Sequence, residues 1–185
     1  MAAAADDNII IERCQAGDLE AFATLYQREA PRALQTAYFI TGSWADAEDC
    51  LQEAAVRAWR TIGRFIPGKP FRPWFLKFVT NEALRLRGRR RPVTLLPEED
   101  ILPAAADEGP EASAERDDRH RLVLEALGTL DRNHRAPAVL IYFEGLSEAE
   151  VAEVLGIRQA TVKSRLHTAR QRLAAQLEQR GLGTR

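Results

Sequence analysis

The chain has 185 residues, with 26 Lys and Arg against 27 Asp and Glu and a formal net charge of −1. That length allows one domain or two small ones, and an apolar share of 45% is ordinary for a soluble protein. No run of eighteen apolar residues could span a membrane, and Met1 to Ala5 is too short for the apolar centre of a secretory signal, so the sequence predicts no membrane insertion and a cytoplasmic location.

The balanced charge conceals a split. Between Arg57 and Arg91 the bases Arg57, Arg60, Arg64, Lys69, Arg72, Lys77, Arg85, Arg87, Arg89, Arg90 and Arg91 are opposed only by Glu82. Between Glu98 and Asp118 the acids are opposed only by Arg116. A basic block beside an acidic one suits a nucleic-acid binder with an acidic tether. Cys14 and Cys50 lie far apart with no C-x-x-C pattern or nearby His, so neither a zinc site nor a disulfide is expected, and both should pack as small apolar groups.

In chain order, residues from about 9 to 91 form a first helical block. Asp18 is placed to cap a helix carrying Leu19, Phe22, Leu25 and Tyr26, and Pro31 is expected to kink or divide it before Leu34, Ala37, Tyr38 and Phe39. After a turn at Thr41-Gly42-Ser43, the spacing predicts a helix over 46–62 that turns Ala47, Cys50, Leu51, Ala54, Ala58 and Ile62 inward. Pro67-Gly68-Lys69-Pro70 reads as a loop, and Pro73 as the first position of a third helix that runs into the arginine-rich tail.

Prolines, alanines and acids over 93–118 bury too little to offset the entropy of ordering, so this stretch is read as a flexible acidic linker. A second helical block follows over 119–185. The fold class is all-α, with two small helical domains, 1–92 and 119–185, joined by that linker.

The second block ends in a helix-turn-helix. Ser147 and Glu150 have capping-box spacing, Val151 and Leu155 make a buried stripe, and Gly156 supplies the left-handed residue at the turn. The next helix buries Val162, Leu166, Ala169, Leu173 and Leu177 and presents Lys163, His167 and Arg170, flanked by Thr161, Ser164, Arg165, Thr168 and Arg172. No carboxylate occurs between Gly156 and Glu178. A one-sign face starting at a helix N-terminus favours a polyanion, because a merely solvated face mixes signs to gain i,i+4 pairs. No Walker loop, H-E-x-x-H, G-x-S-x-G or metal-ligand cluster occurs, so neither an enzyme nor a metal or other cofactor is expected.

With these residues laid out, Asp46-Ala47-Glu48-Asp49-Cys50-Leu51-Gln52-Glu53, followed by Arg57-Ala58-Trp59, resembles region 2 of bacterial RNA polymerase sigma factors of the extracytoplasmic function (ECF) group. Gly145-Leu146-Ser147 through Gly156-Ile157, then Thr161-Val162-Lys163-Ser164-Arg165-Leu166, resembles their region 4. The resemblance implies promoter-specific initiation with core RNA polymerase, whose β′ coiled coil and β flap would be partners along with promoter DNA, and it leaves an anti-sigma factor open as another. It implies that Asp46, Glu48, Asp49, Gln52, Glu53, Arg57 and Trp59 contact polymerase. It places Phe65, Lys77, Phe78 and Asn81 at an unstacked base of the −10 element, with Arg72 on the −10 DNA beside them and Arg85, Arg87, Arg89, Arg90 and Arg91 clamping phosphates. The −35 element falls to Arg158, Thr161, Lys163, Ser164, Arg165, His167, Thr168, Arg170 and Arg172.

Some residues depart from that pattern. Arg158 stands where the family carries a Ser or Thr cap and Ala160 where Gly is common, so the recognition helix is expected to start about a residue differently. Pro137 predicts a helix start or kink, and His120 and His134 are expected at the surface. The competing reading is a stand-alone helix-turn-helix regulator that binds an operator as a dimer; it would not need the 46–59 segment or the aromatic, basic helix after it.

Overall fold

The computed structural model describes residues 2–89 and 123–179, all of whose regular elements are helical. The linker expected over 93–118 lies outside the described residues, as do His120, Arg90 and Arg91. The helices are α1 (Ala2–Gln15), α2 (Leu19–Thr41), α3 (Trp44–Thr61), a 3-10 turn (Ile62–Arg64), α4 (Phe71–Arg89), α5 (123–128), α6 (Arg132–Tyr142), α7 (Glu148–Leu155) and α8 (Gln159–Gln179).

In the N-terminal block α2, α3 and α4 pack against one another and α1 lies along α2. Asp18 starts α2 because its carboxylate accepts the Ala21 amide at 3.0 Å. That bond, followed by one from Arg13, holds the Asp18 carboxyl below the usual range. Pro31 does not divide α2, which runs as one helix through it. Gln27, whose carbonyl loses its partner there, and Pro31 are both exposed, so water can take the missing bond while Ala33, Ala37 and Ile40 stay packed.

Gly42 ends α2 in the left-handed conformation, at φ 81°, where a glycine has no Cβ penalty. The Ser43 hydroxyl then accepts the Asp46 amide at 3.3 Å, so α3 begins at Trp44, two residues before the position read from sequence. The predicted inner face of α3 is buried throughout. Both cysteines are free and buried; burial, with Glu82 next in weight, pushes the Cys50 thiol up to about 12.

In the C-terminal block α6 and α7 pack on α8. Asp131 caps α6 by accepting the amides of Asn133 and His134 at 2.9 and 3.3 Å. The helix therefore starts five residues ahead of Pro137, not at it, and continues through it. Pro137 itself is buried, so packing outweighs the one backbone bond it removes.

The two blocks share one continuous buried core, in which α6 packs on α2 and α4, and α7 on α4. Phe39 meets Phe143 edge-on at 4.9 Å. Arg135, fully buried, donates through Nε to the Leu127 carbonyl at 2.7 Å and through a terminal nitrogen to the Ile40 carbonyl at 3.5 Å. Ile40 lies in the last turn of α2, where the helix dipole favours a cation.

Candidate polymerase and nucleic-acid interfaces

Three surfaces collect the residues singled out by sequence. The first is the outer flank of α3. Glu48 and Gln52 lie on one i,i+4 row that continues through Val56 and Arg60, and Asp49, Glu53 and Arg57 form the adjacent row. All are exposed except Glu53, which is half-buried and accepts from Arg57 Nε at 2.8 Å. Val56 is 44% exposed and adds an apolar centre to this polar flank, which the sequence reading missed. Two predicted members sit elsewhere. Asp46 is buried in the first turn of α3, and Trp59 is half-buried with its ring 5.4 Å from Phe22. Both belong more to the fold than to the open face. Arg57 also reaches the buried Glu82 at 3.5 Å, tying α3 to α4.

The second surface is α4 with the loop before it. Gln15 fixes the loop by donating to the Ile62 and Phe65 carbonyls at 3.1 and 2.8 Å, and Asn8 accepts the Gly68 amide at 2.7 Å. Phe65, expected to stack on a base, is instead only 4% exposed and packs against Trp74 at 5.1 Å and Phe71 at 6.1 Å. A short apolar loop entering a small core is drawn inward, where the whole ring leaves water.

The aromatic surface left outside comes from Trp74 and Phe78, both half-buried and edge-on to each other at 4.9 Å. With Lys77 and Asn81, both exposed, they occupy positions i, i+3, i+4 and i+7 of one helix face. Arg85 continues the Lys77–Asn81 row and bonds Glu82 through Nε at 2.7 Å. That bond, more than any other cause, raises the affinity of Arg85 for its proton. Arg87 and Arg89 lie in the last turns of α4. Arg72 is separated from this face: its Nε donates to Glu29 at 2.8 Å, and a terminal nitrogen lies 3.7 Å from Glu144 of the C-terminal block.

The third surface is the helix-turn-helix. The capping box is complete, since the Glu150 amide donates to the Ser147 hydroxyl at 3.3 Å and the Ser147 amide to Glu150 Oε2 at 2.8 Å. Hydrogen bonds from the Ser147 hydroxyl first, and then its amide, hold the Glu150 carboxyl below its ordinary value. Gly156 turns the chain at φ 64°, and the Ile157 amide closes on the Ala152 carbonyl at 3.1 Å.

Helix α8 starts at Gln159, with the Thr161 and Val162 amides donating to the Arg158 carbonyl, so Arg158 stands at the cap without a capping side chain. Val162, Leu166 and Ala169 are buried and Leu173 is half-buried, while the side chain of Leu177 lies outside what is described. Arg158, Lys163, Ser164, His167 and Arg170 are exposed; Thr161, Arg165 and Thr168 are half-buried.

The front and rear of α8 differ. Toward the rear, Arg170 donates to the Tyr142 hydroxyl at 2.6 Å and lies over its ring at 5.9 Å, while Arg172 reaches Asp131 at 3.0 Å. His134, expected simply at the surface, is half-buried and bonds the same Asp131 at 2.8 Å. Burial pushes Asp131 up, but bonds from His134, Arg172 and the Asn133 amide outweigh it and hold the carboxyl low. Tyr142 and Asp131 were not read from sequence as parts of this surface, because their partners lie 28 and 41 positions away.

Among the described residues no group of His, Cys, Asp and Glu is arranged to hold a metal ion, and no helix is long and apolar enough to cross a membrane.

An acid-flanked helix, an aromatic and basic helix beside it and a basic helix-turn-helix fit a transcription-initiation protein, the class that the comparisons show. The Sigma-70 region 2 family matches residues 25–92 and the Sigma-70, region 4 family residues 120–173. The RNA polymerase sigma-H factor of Pseudomonas aeruginosa is 30% identical over 93% of this chain and 94% of its own length. The ECF RNA polymerase sigma factor SigE of Mycolicibacterium smegmatis is 37% identical over 80% of this chain, which spans only 58% of that longer relative.

Among solved structures, CnrH in complex with the cytosolic domain of CnrY has a TM-score of 0.70 at 28% identity, covering 93% of this chain and 97% of that one. The sigma factor RpoE in complex with the anti-sigma factor NepR, from Bartonella quintana, has a TM-score of 0.64 at 25% identity, covering 85% and 96%. The chain belongs to the sigma-70 family. Within it the chain is an ECF sigma factor, a promoter-directing subunit whose partners are core RNA polymerase and promoter DNA.

Proposed function

We propose that the three surfaces divide the work of initiation, with 1–92 as the polymerase-binding and −10 domain, 93–118 as the tether and 119–185 as the −35 domain. The outer rows of α3, Glu48, Asp49, Gln52, Glu53 and Arg57 around Val56, dock on core polymerase. Trp74, Lys77, Phe78, Asn81 and Arg85 receive an unstacked −10 base and its phosphates, by stacking and amide hydrogen bonding. The front of α8 reads −35 base edges in the major groove through Lys163, Ser164 and Arg165, with Arg158, Thr161, His167 and Thr168 beside them. Arg170 and Arg172 anchor phosphates.

The protein performs no chemistry of its own; polymerase makes and breaks the bonds. It works in the cytoplasm, where its template lies, and an anti-sigma partner is in keeping with the complexes of CnrH and RpoE.

The observation that carries this reading is the exposed acidic flank of α3 directly beside the aromatic, basic face of α4, which fits one helix to polymerase and the next to melted DNA. Changing Asp49 and Glu53 together to Lys should weaken co-elution with core enzyme at least tenfold with helical content unchanged, because like-charge juxtaposition at an interface costs several kcal/mol while exposed charges contribute little to folding. Unaltered co-elution of the double variant removes the assignment.

A further inference from the structure

The contact between the two blocks is built around Glu144. Its side chain is fully buried, in the turn between α6 and α7, yet every strong donor to it comes from the N-terminal block. Arg32 Nε approaches one carboxylate oxygen at 3.1 Å, and Arg72 approaches the same oxygen at 3.7 Å. The Thr36 hydroxyl bonds the other oxygen, and Arg32 also bonds the neighbouring Phe143 carbonyl.

Around this lie Glu29, at 2.8 Å from Arg72 and 3.1 Å from Arg28, and Asp7, at 2.6 Å from Arg28. The side chains of Arg32 and Arg72 are 44% and 37% exposed, so they form a rim open to solvent over a buried carboxylate. Two guanidinium groups and a hydroxyl converging on one oxyanion are a donor set that grips phosphate as readily as carboxylate.

The closed form cannot be the working one. Elements at −10 and −35 are on the order of 25 base pairs apart, about 85 Å at 3.4 Å per pair, whereas Phe39 of one block touches Phe143 of the other. Engaging both elements therefore parts the blocks, which withdraws Glu144 and leaves Arg32, Thr36 and Arg72 without it.

We propose that Glu144 is an internal stand-in for a nucleic-acid phosphate: it fills an oxyanion site made by Arg32, Thr36 and Arg72, holds the free protein closed, and yields that site to a DNA backbone phosphate when the blocks separate. The choice of DNA as the incoming ligand rests on the reading of α4 as the −10 helix; the closure does not.

The test uses the full chain without polymerase, so that a failure of the promoter assignment is read separately, by transcription. Small-angle scattering reports closure, and fluorescence anisotropy with a labelled single-stranded 12-mer oligodeoxynucleotide reports phosphate binding. Glu144→Gln should increase the radius of gyration and tighten the oligonucleotide at least threefold. Arg32→Ala, a change at a side chain 44% exposed, removes the main partner of Glu144 and should expand the chain equally but give no such tightening, having lost a ligand of the site.

A Glu144→Gln protein that stays as compact as the parent overturns the closure, whatever its affinity. Expansion without tighter binding, or equal tightening in both variants, overturns the phosphate site. If Glu144→Gln fails to fold by circular dichroism, Arg32→Ala decides: a compact Arg32→Ala chain refutes the latch, and an expanded one that binds the oligonucleotide more tightly refutes the site.

Discussion

The two blocks hold their positive charges in different ways. In the N-terminal block the arginines flanking the proposed DNA face are tied to buried carboxylates: Arg57 and Arg85 to Glu82, Arg72 to Glu29 and Glu144. In the C-terminal block Arg135 is buried against carbonyls and the rear of α8 is tied, Arg170 to a tyrosine hydroxyl and Arg172 to a helix cap, while Lys163 at the front stands exposed. A buried carboxylate fixes its guanidinium in place, because without that partner the carboxylate is left as an unpaired charge in low dielectric. A side chain at an exposed helix front stays available to a ligand. On the proposed division, the tied guanidiniums such as Arg85, Arg170 and Arg172 are held ready for phosphates, and the open front of α8 is left for base edges.

The strongest way to break the comparison is to damage each core in turn. Phe75, in the N-terminal core, and Leu166, in the C-terminal core, are each 1% exposed. Phe75→Ala should cost about 3 to 5 kcal/mol and Leu166→Ala about 2 to 5 kcal/mol. Because one buried core joins the blocks, chemical denaturation should show a single transition displaced by either change. Two separated transitions, with Leu166→Ala moving only one, would show that the blocks melt independently.

Base readout is the next largest effect. Arg165→Ala should relax preference at one −35 position by about 1 to 3 kcal/mol, whereas Arg172→Ala should weaken all sequences alike and lower the salt slope by about one. A −35 mutational scan in which the two variants differ only in overall strength contradicts the division between the front and rear of α8.

A smaller effect belongs to the cap of α7. Ser147→Ala should destabilise by about 1 kcal/mol. The folded Glu150 carboxyl lies below its ordinary value through its bonds to Ser147, so its contribution is present above the unfolded value and is lost as pH falls through the folded one. Asp18 and Asp131, also held low, act in the same sense. Stability should therefore decline as pH drops below the usual carboxylate range, less steeply in Ser147→Ala. An identical pH profile in the variant contradicts the assignment to Glu150.

What the sequence made legible was local. The Asp18 cap, the Ser147–Glu150 box, the Gly156 turn and the inner face of α3 are each fixed by residues within a few positions of one another, and each appears where the spacing puts it. The continuity of α2 through Pro31 and α6 through Pro137 was not legible, because packing against other helices decides whether one lost backbone bond matters. Phe65 was misplaced for a related reason: an aromatic beside a basic helix suits a base or a core equally, and Phe71 and Trp74 settle which. The docking of the blocks through Glu144 and Arg32, 112 positions apart, left no local signal at all.

Whether this chain gives core polymerase its promoter choice is read out by run-off transcription with purified core enzyme over a promoter library, with and without the protein. Discrete transcripts are expected only when the protein is present, lost when either the −10 or the −35 element is scrambled and lost with the Asp49→Lys, Glu53→Lys double variant. Transcription indistinguishable from core enzyme alone, together with dimeric binding of an operator duplex in the absence of polymerase, would contradict that role.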